Sequence, residues 1–460
     1  MYEEEIFGLT LRMIGGVFKF GIKGIIHLAS ILGNTDDTHE YNIPPINTQL
    51  KNKSFGGFVF GKDNDGIVVT KPEETDGHIL VVGGVGSGKS SCIAIPTLRA
   101  WNNSVFAIDI KGELYDKTKD YRQNVKVFNP TDSNSYGYDP FFCLYNSPNP
   151  AQEARAIAQA IIPLPPEIKE PFWIESAQNI FTGAILHYSG QNLSFLDTIR
   201  QIQSRSSKEL IKDICNGSNF EAQYFVGSMR DMDEKTLSSI VAELSKNIVH
   251  FVTDKNLISA LSKRNNITPV DLEYGEDIYI QIPEYLLRQW KTLLTLIVNQ
   301  FLTHFEQCTE LNAPPLLFLL DEFPRLGKVS AMLDGLATLR SKKICICLIV
   351  QSLAQLDTIY GHNERKVISD TCAYKAILGA TDADTQEYFS RLVGTYDKPM
   401  TSYGTQREAY TGFKTGENTF TSEQERRIIK PEEFATLKDI VLLTPFGYSR
   451  VEKMPYYVNS

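Results

Sequence analysis

The chain has 460 residues, 42% hydrophobic and 11% aromatic, which is material for two or three cored domains and excludes a disordered polypeptide. Its formal net charge of −9 argues against a protein that coats nucleic acid non-specifically, though a channel or loop can be locally basic on an acidic molecule. Seven cysteines are scattered without a Cys-x-x-Cys pair or nearby His ligands, so neither a zinc site nor a disulfide framework is expected, and a reducing cytosol is the simplest setting.

Residues 6–32 are largely apolar yet carry Arg12, Lys19 and Lys23. At roughly 100° per residue these three fall within about 40° of one another, so a helix here has one narrow cationic stripe and a wide apolar face. We read residues 1–33 as an amphipathic helix lying on a membrane surface or docking on a partner; an ordinary packing helix is the alternative. A spanning helix would have to bury or snorkel two mid-segment charges, and Glu3-Glu4-Glu5 has the wrong sign for a secretory signal. Residues 34–54, with Pro44-Pro45, are expected to be a polar linker.

Short strands are expected over 55–75, followed by a strand at 78–83, a helix from about 89, and strands at 104–110 and 124–129. Apolar strands alternating with helices imply an α/β fold with a parallel-rich central sheet covered on both faces. From 146 to 270 the texture is helical, as in Pro150–Ile162, Phe172–His187 and Asp233–Val252. The expected division is a first part of a nucleotide-binding domain at 55–145, an inserted all-α domain at 146–270, and a second part at 271–460. The second part carries a strand at 277–282, a helix at 287–307 and strands at 315–321, 344–351, 373–379, 440–443 and 448–452.

Gly83, Gly84, Val85, Gly86, Ser87, Gly88, Lys89 and Ser90 form a complete phosphate-binding loop between a strand and a helix, with Ser91 completing the nucleotide-binding set. Closely spaced glycines let backbone N–H groups turn toward a phosphate, and the helix that follows points its positive end at the same place. Lys89 is expected to reach the β- and γ-phosphates of ATP, and Ser90 to give its hydroxyl to Mg²⁺. Pro315-Leu-Leu-Phe-Leu-Leu-Asp321-Glu322 is an apolar strand ending in two carboxylates. Asp321 suits the Mg²⁺ role and Glu322 the role of base toward the attacking water. Gln351 ends the strand 344–350, where a neutral amide orients water or senses the γ-phosphate, or else caps the next helix. Arg340 is the candidate for reaching a neighbouring subunit's nucleotide, with Arg325, Arg426 and Arg427 as rivals. Asp109-Ile-Lys111-Gly-Glu113 follows the second strand of the sheet, and its carboxylates either support the site or cap a helix.

Gly83–Ser90, Asp109-Ile-Lys-Gly-Glu113, Phe128-Asn-Pro130, Phe172-Trp173, Asp321-Glu-Phe-Pro-Arg325 and Val350-Gln-Ser-Leu353, in this order and spacing, resemble the type IV secretion coupling proteins of the TraG/TraD kind. The resemblance covers about residues 55–455. It implies a RecA-like P-loop domain with an all-α insertion, assembled as a hexamer that couples ATP hydrolysis to moving DNA, or a relaxase or effector protein, into a secretion channel. It further implies work at the cytoplasmic face of the bacterial inner membrane. Most members begin with a pair of transmembrane helices, whereas this chain offers only residues 6–32, which suggests a peripheral protein or one docked on a membrane partner. Under the same resemblance, nucleic acid meets channel-facing loops, with Tyr403, Arg407, Tyr410 and Lys414 as candidates in the Ser/Thr/Gly/Tyr-rich stretch 401–421; a mobile surface hairpin is the bland alternative. Two further functional readings stand beside the DNA motor: an ATPase for protein effectors, and a nucleotide-gated docking receptor with little hydrolysis.

Overall fold

The computed structural model describes residues 43–52, 56–145, 147–165, 168–308, 314–407 and 414–458, with 401–407 and 414–421 described by backbone alone. In chain order the strands are β1 Lys51–Asn52, β2 Phe58–Lys62, β3 Val68–Lys71, β4 Ile79–Val82, β5 Val105–Asp109, β6 Val125–Phe128, β7 Asp277–Gln281, β8 Leu316–Leu320, β9 Ile344–Val350, β10 Tyr374–Ile377, β11 Thr395–Arg407, β12 Lys414–Arg427, β13 Ile440–Thr444 and β14 Gly447–Val451. Nine of them form one sheet in the order β14-β13-β10-β4-β9-β8-β5-β7-β6. From β10 to β6 every neighbour is parallel, while β13 and β14 extend the β10 edge as antiparallel strands.

The central strands are near-continuous apolar runs because both their faces are covered: β4, β5, β8, β9 and β10 are buried at every position. On one face Ile93, Leu98 and Trp101, from the helical stretch after the phosphate loop, join a core with Ile79, Val81, Val105, Leu317 and Ile349. On the other, helix Leu287–Gln307 brings Phe301 against Phe106 and Phe305 against Phe318, with ring centroids 4.8 and 5.8 Å apart. Each such side chain contributes about 1.5–3 kcal/mol by leaving water, which holds the sheet to its helical layers.

Between β6 and β7 all described helices and strands are helical, from Pro150–Ile161 to Pro269–Glu273. Their starts are written in the sequence: Asn149, Ser194, Ser206, Asn219, Asp233 and Asp254 each accept a backbone N–H at a helix entry, about 1 kcal/mol apiece. Helix Pro150–Ile161 packs on Leu287–Gln307 and so joins this segment to the sheet's helical layer.

Two expectations need correction. The linker expected at 34–54 does not extend to its stated end, because Leu50 is buried and Lys51 and Asn52 pair antiparallel with Val69 and Val68 of β3. The pattern of Val329–Leu339 reads as a helical run with Arg340 at its end, but the helix is shorter, Met332–Thr338, and Arg340 lies in the tight turn Leu339–Lys342 that follows. The hairpin alternative given for 401–421 matches the structure, where Thr395–Arg407 and Lys414–Arg427 pair antiparallel from Thr395 opposite Arg427 to Arg407 opposite Lys414. Residues 1–33 lie outside the described residues, among which no helix is long and apolar enough to cross a membrane.

Candidate nucleotide-binding site

The site follows from register. Val82 of β4 pairs with Val350 of β9, and Leu320 of β8 with Leu348, so Gly83, Gln351 and the pair Asp321-Glu322 leave the sheet side by side at its carboxyl edge. Such an edge is where open α/β sheets bind ligands. Gly86 and Gly88 turn the loop with φ of 76° and 101°, a left-handed region costly to a residue with a Cβ. A Cβ on Gly83 would occupy the space of the Ser87 hydroxyl, which is itself buried without a hydrogen-bond partner. The chain then enters one widened helical turn, Lys89–Ala94, and continues as helix Ile95–Ala100.

The Lys89 ammonium is buried and donates to the Gly83 and Gly84 carbonyls at 2.6 and 3.1 Å. Burial lowers its pKa, against the pull of Glu322 and Asp321. Asp321 and Glu322 are buried too. Desolvation, with repulsion from Glu322, pushes the Asp321 carboxyl up to about 6, although the Glu322 N–H donates to it at 3.0 Å. Glu322 itself sits at φ 50°, ψ 40°, a strained conformation for a non-glycine residue that costs about 1–2 kcal/mol. Its carboxylate accepts a hydrogen bond from Gln351 Nε2 at 2.9 Å.

A cavity of about 380 Å³ opens over this edge, with Gly86, Gly88, Lys89, Ser90 and Ser91 on the loop side and Lys111, Glu113, Glu284, Glu322, Arg325 and Gln351 opposite. Cavities of about 330 and 690 Å³ beside the helical segment are of similar size and larger, respectively, but they contain no phosphate loop, so chemistry rather than size marks the site.

The sequence matches the family model described as type IV secretory system conjugative DNA transfer over residues 43–460. The chain belongs to that family. Among relatives of this DNA-transfer family, the protein VirD4 of Rhizobium radiobacter is 28% identical over 429 residues, covering 87% of this chain and 60% of VirD4. The chain thus spans about 60% of the length of the first curated relatives it matches. In fold it resembles the plasmid coupling protein TrwB in complex with the non-hydrolysable ATP analogue ADPNP, at TM-score 0.70 and 18% identity over 89% of this chain and 91% of that one. TrwB with ADP and Mg²⁺ aligns at TM-score 0.64 and 17% identity over 89% and 90%. The fold is accordingly the α/β, RecA-like P-loop arrangement expected for a coupling protein.

Within this family fold the remaining candidates are distributed unevenly. Asp109 acts as a cap, accepting the N–H groups of Leu114 and Tyr115 at 3.2 and 2.9 Å and an amide hydrogen bond from Gln281 at 3.2 Å. Arg340 precedes β9 and therefore lies at the amino edge, away from its own phosphate loop; its Nε is 3.9 Å from Asp76 and its side chain is 59% exposed. Arg325, a rival, lies in the cavity, where Nη1 meets Glu284 Oε1 at 2.6 Å. Arg427 pairs with Glu387 at 3.1 Å near the hairpin base, and Arg426 Nη2 lies 3.4 Å from Gln424 Oε1. Glu284 was missed, and its signal is its place directly after β7, at the same carboxyl edge. Tyr403 is paired with Thr419 and Arg407 with Lys414, after a register shift at Gln406/Arg407; Tyr410 lies outside the described residues.

Proposed function

We propose that this chain is an ATP-hydrolysing coupling protein that works as a hexameric motor, recruiting and translocating DNA or a DNA-linked relaxase to a type IV secretion channel at the cytoplasmic face of the inner membrane. The observation that carries the reading is the alignment of Gly83, Gln351 and Asp321-Glu322 at one sheet edge, with Gln351 hydrogen-bonded to Glu322. Lys89, freed from the Gly83 and Gly84 carbonyls, would meet phosphate oxygens at the glycine cradle. The unpartnered Ser87 hydroxyl and the close-packed Gly83 fit a loop made to take an anion.

Ser90 and Asp321 supply the oxygen donors a hard cation needs, and a neighbouring cation would offset the burial, and the repulsion from Glu322, that raise the Asp321 pKa. Bound Mg²⁺ would supply charge neutralisation at the phosphates. Glu322 would take a proton from the attacking water, with Gln351 holding its carboxylate in place. TrwB, solved with an ATP analogue and with ADP and Mg²⁺, supports the choice of nucleotide. A neighbouring subunit is the natural receiver for Arg340, since the seven residues of β9, at about 3.3 Å each, separate it from its own loop.

The test is the ATPase rate with and without single- and double-stranded DNA, across protein and salt concentrations, with Lys89→Ala as the blank. Lys89-dependent turnover that DNA stimulates, increasingly with protein concentration and less with salt, is the expected result. Hydrolysis indifferent to DNA would move the cargo to protein. Turnover no faster than the blank would refute the motor.

A further inference from the structure

Helix Leu287–Gln307 ends beside the short helix Pro269–Glu273, which returns the chain from the helical segment to β7. His304 and Cys308 stand one turn apart at that end, with Cys308 closing the helix as its cap. Glu273, the last residue of the short helix, reaches across so that its Oε1 lies 2.6 Å from His304 Nε2, and the Cys308 thiol donates to the His304 carbonyl at 3.3 Å. One donor atom from each of the three residues falls within 4.8 Å of the others. All three side chains are partly buried, with His304 and Glu273 exposed by 26% and 34%, so the cluster is enclosed yet reachable.

In the sequence, zinc is set aside for want of a cysteine pair or a nearby histidine, yet His304 stands four residues before Cys308 at one helix end, and a carboxylate 31 residues upstream of His304 lies against it. A carboxylate oxygen, an imidazole nitrogen and a thiolate sulfur are the mixed set that borderline-soft zinc accepts, and they differ from the all-oxygen set suited to magnesium. Tetrahedral bonds of zinc to such donors place them about 3.3–3.6 Å apart. The His304–Glu273 contact must therefore open and Cys308 close in by about an ångström, which is within side-chain rotation.

The end of this helix also favours positive charge through its dipole. Lys342 already uses it, its ammonium donating to the Phe305, Glu306 and Cys308 carbonyls at 2.9, 2.8 and 2.7 Å. Those hydrogen bonds leave the three candidate ligand atoms uncontested by the lysine.

We propose that Glu273, His304 and Cys308 form a zinc site, with a fourth position open to water, that staples the returning helical segment to the end of the long helix. The test is titration of the metal-stripped full chain with Co²⁺, in excess Mg²⁺ so that the nucleotide site does not compete. One equivalent bound with a thiolate-to-cobalt absorption band, displaced by Zn²⁺ and unchanged in Lys89→Ala, is expected. Cys308→Ser abolishes the band, His304→Ala weakens binding at least about tenfold, and Cys308→His restores binding without the band. Zinc raises the melting temperature of the intact chain and not that of Cys308→Ser. Circular dichroism establishes that each variant is folded, and Glu273→Gln, changed at a half-exposed side chain, gives a weaker site should the helix variants unfold. Absence of the band in the intact chain, or its survival in Cys308→Ser, overturns the proposal.

Discussion

Replacing Glu322 by Gln tests the proposed chemistry with little disturbance of shape. Gln351 Nε2 now donates to a carboxylate oxygen at 2.9 Å, and an amide oxygen at the same place can accept the same bond. Side-chain volume and the left-handed backbone at φ 50° are also retained. What disappears is a negative charge and a proton acceptor. Removal of a general base lowers turnover by about 10²–10⁴-fold, equivalent to about 3–5 kcal/mol in the barrier. Nucleotide affinity should be unchanged or rise, because one of the cavity's carboxylates is neutralised while Lys89, Lys111 and Arg325 remain. Phosphate release under single-turnover conditions measures the first effect, and titration with a fluorescent ATP analogue the second. Turnover within tenfold of the parent would refute Glu322 as base. Loss of binding together with turnover would mean instead that Glu322 organises the site.

Glu284→Gln should tighten nucleotide binding by releasing Arg325 from its 2.6 Å partner, and Arg325→Ala should weaken it; if titrations show neither change, Arg325 does not act in this cavity. Gly88→Ala puts a Cβ at φ 101° and 2.9 Å from Cys92 Sγ, whereas Gly86→Ala meets no atom within 4 Å at φ 76°. Both should cost about 1–2 kcal/mol in backbone strain, with Gly88→Ala the worse in melting temperature and in nucleotide affinity. Arg122→Met removes the cation from a buried pair with Asp277, whose side chains are 5% and 2% exposed, and should destabilise by about 3–5 kcal/mol in denaturant melts, with the second change Asp277→Asn recovering part of the loss. His78 is buried and accepts the Ile346 N–H at 3.0 Å through Nδ1; burial, with Lys71 and Arg340 nearby, lowers its pKa from 6.5 to about 4. The unfolded chain therefore takes up a proton between these values that the folded chain refuses. This contribution to stability is complete above pH 6.5 and declines as pH falls, by about 2 kcal/mol between pH 7.5 and 5. Denaturant melts at the two pH values should show that loss, and folded His78→Gln should lack it.

The parts of the site that were legible are those attached directly to parallel strands. A fully buried strand must be an apolar run, and the residue that ends the run must emerge at the carboxyl edge, so Gly83, Asp321 and Gln351 could be located before their neighbours were known. Pairing required the strand order: β9 lies between β4 and β8, and this alone brings Gln351 to Glu322, 29 residues away. The same order separates two arginines that look alike in sequence. Arg325 follows β8 and enters the cavity, while Arg340 precedes β9 and is left at the opposite edge. The less legible groups depend on helix packing or on hairpin register. Glu273 meets His304 because one helix ends against another, and such a crossing is set by the side chains between the helices rather than by a local repeat. The register of the pair Thr395–Arg407 and Lys414–Arg427 was hard to read for a related reason: among its described side chains, those of 395–400 and 422–427, none is buried to impose an apolar alternation. Chemistry fixed by strand direction was thus visible one residue at a time, whereas chemistry assembled by packing appears only when two elements meet.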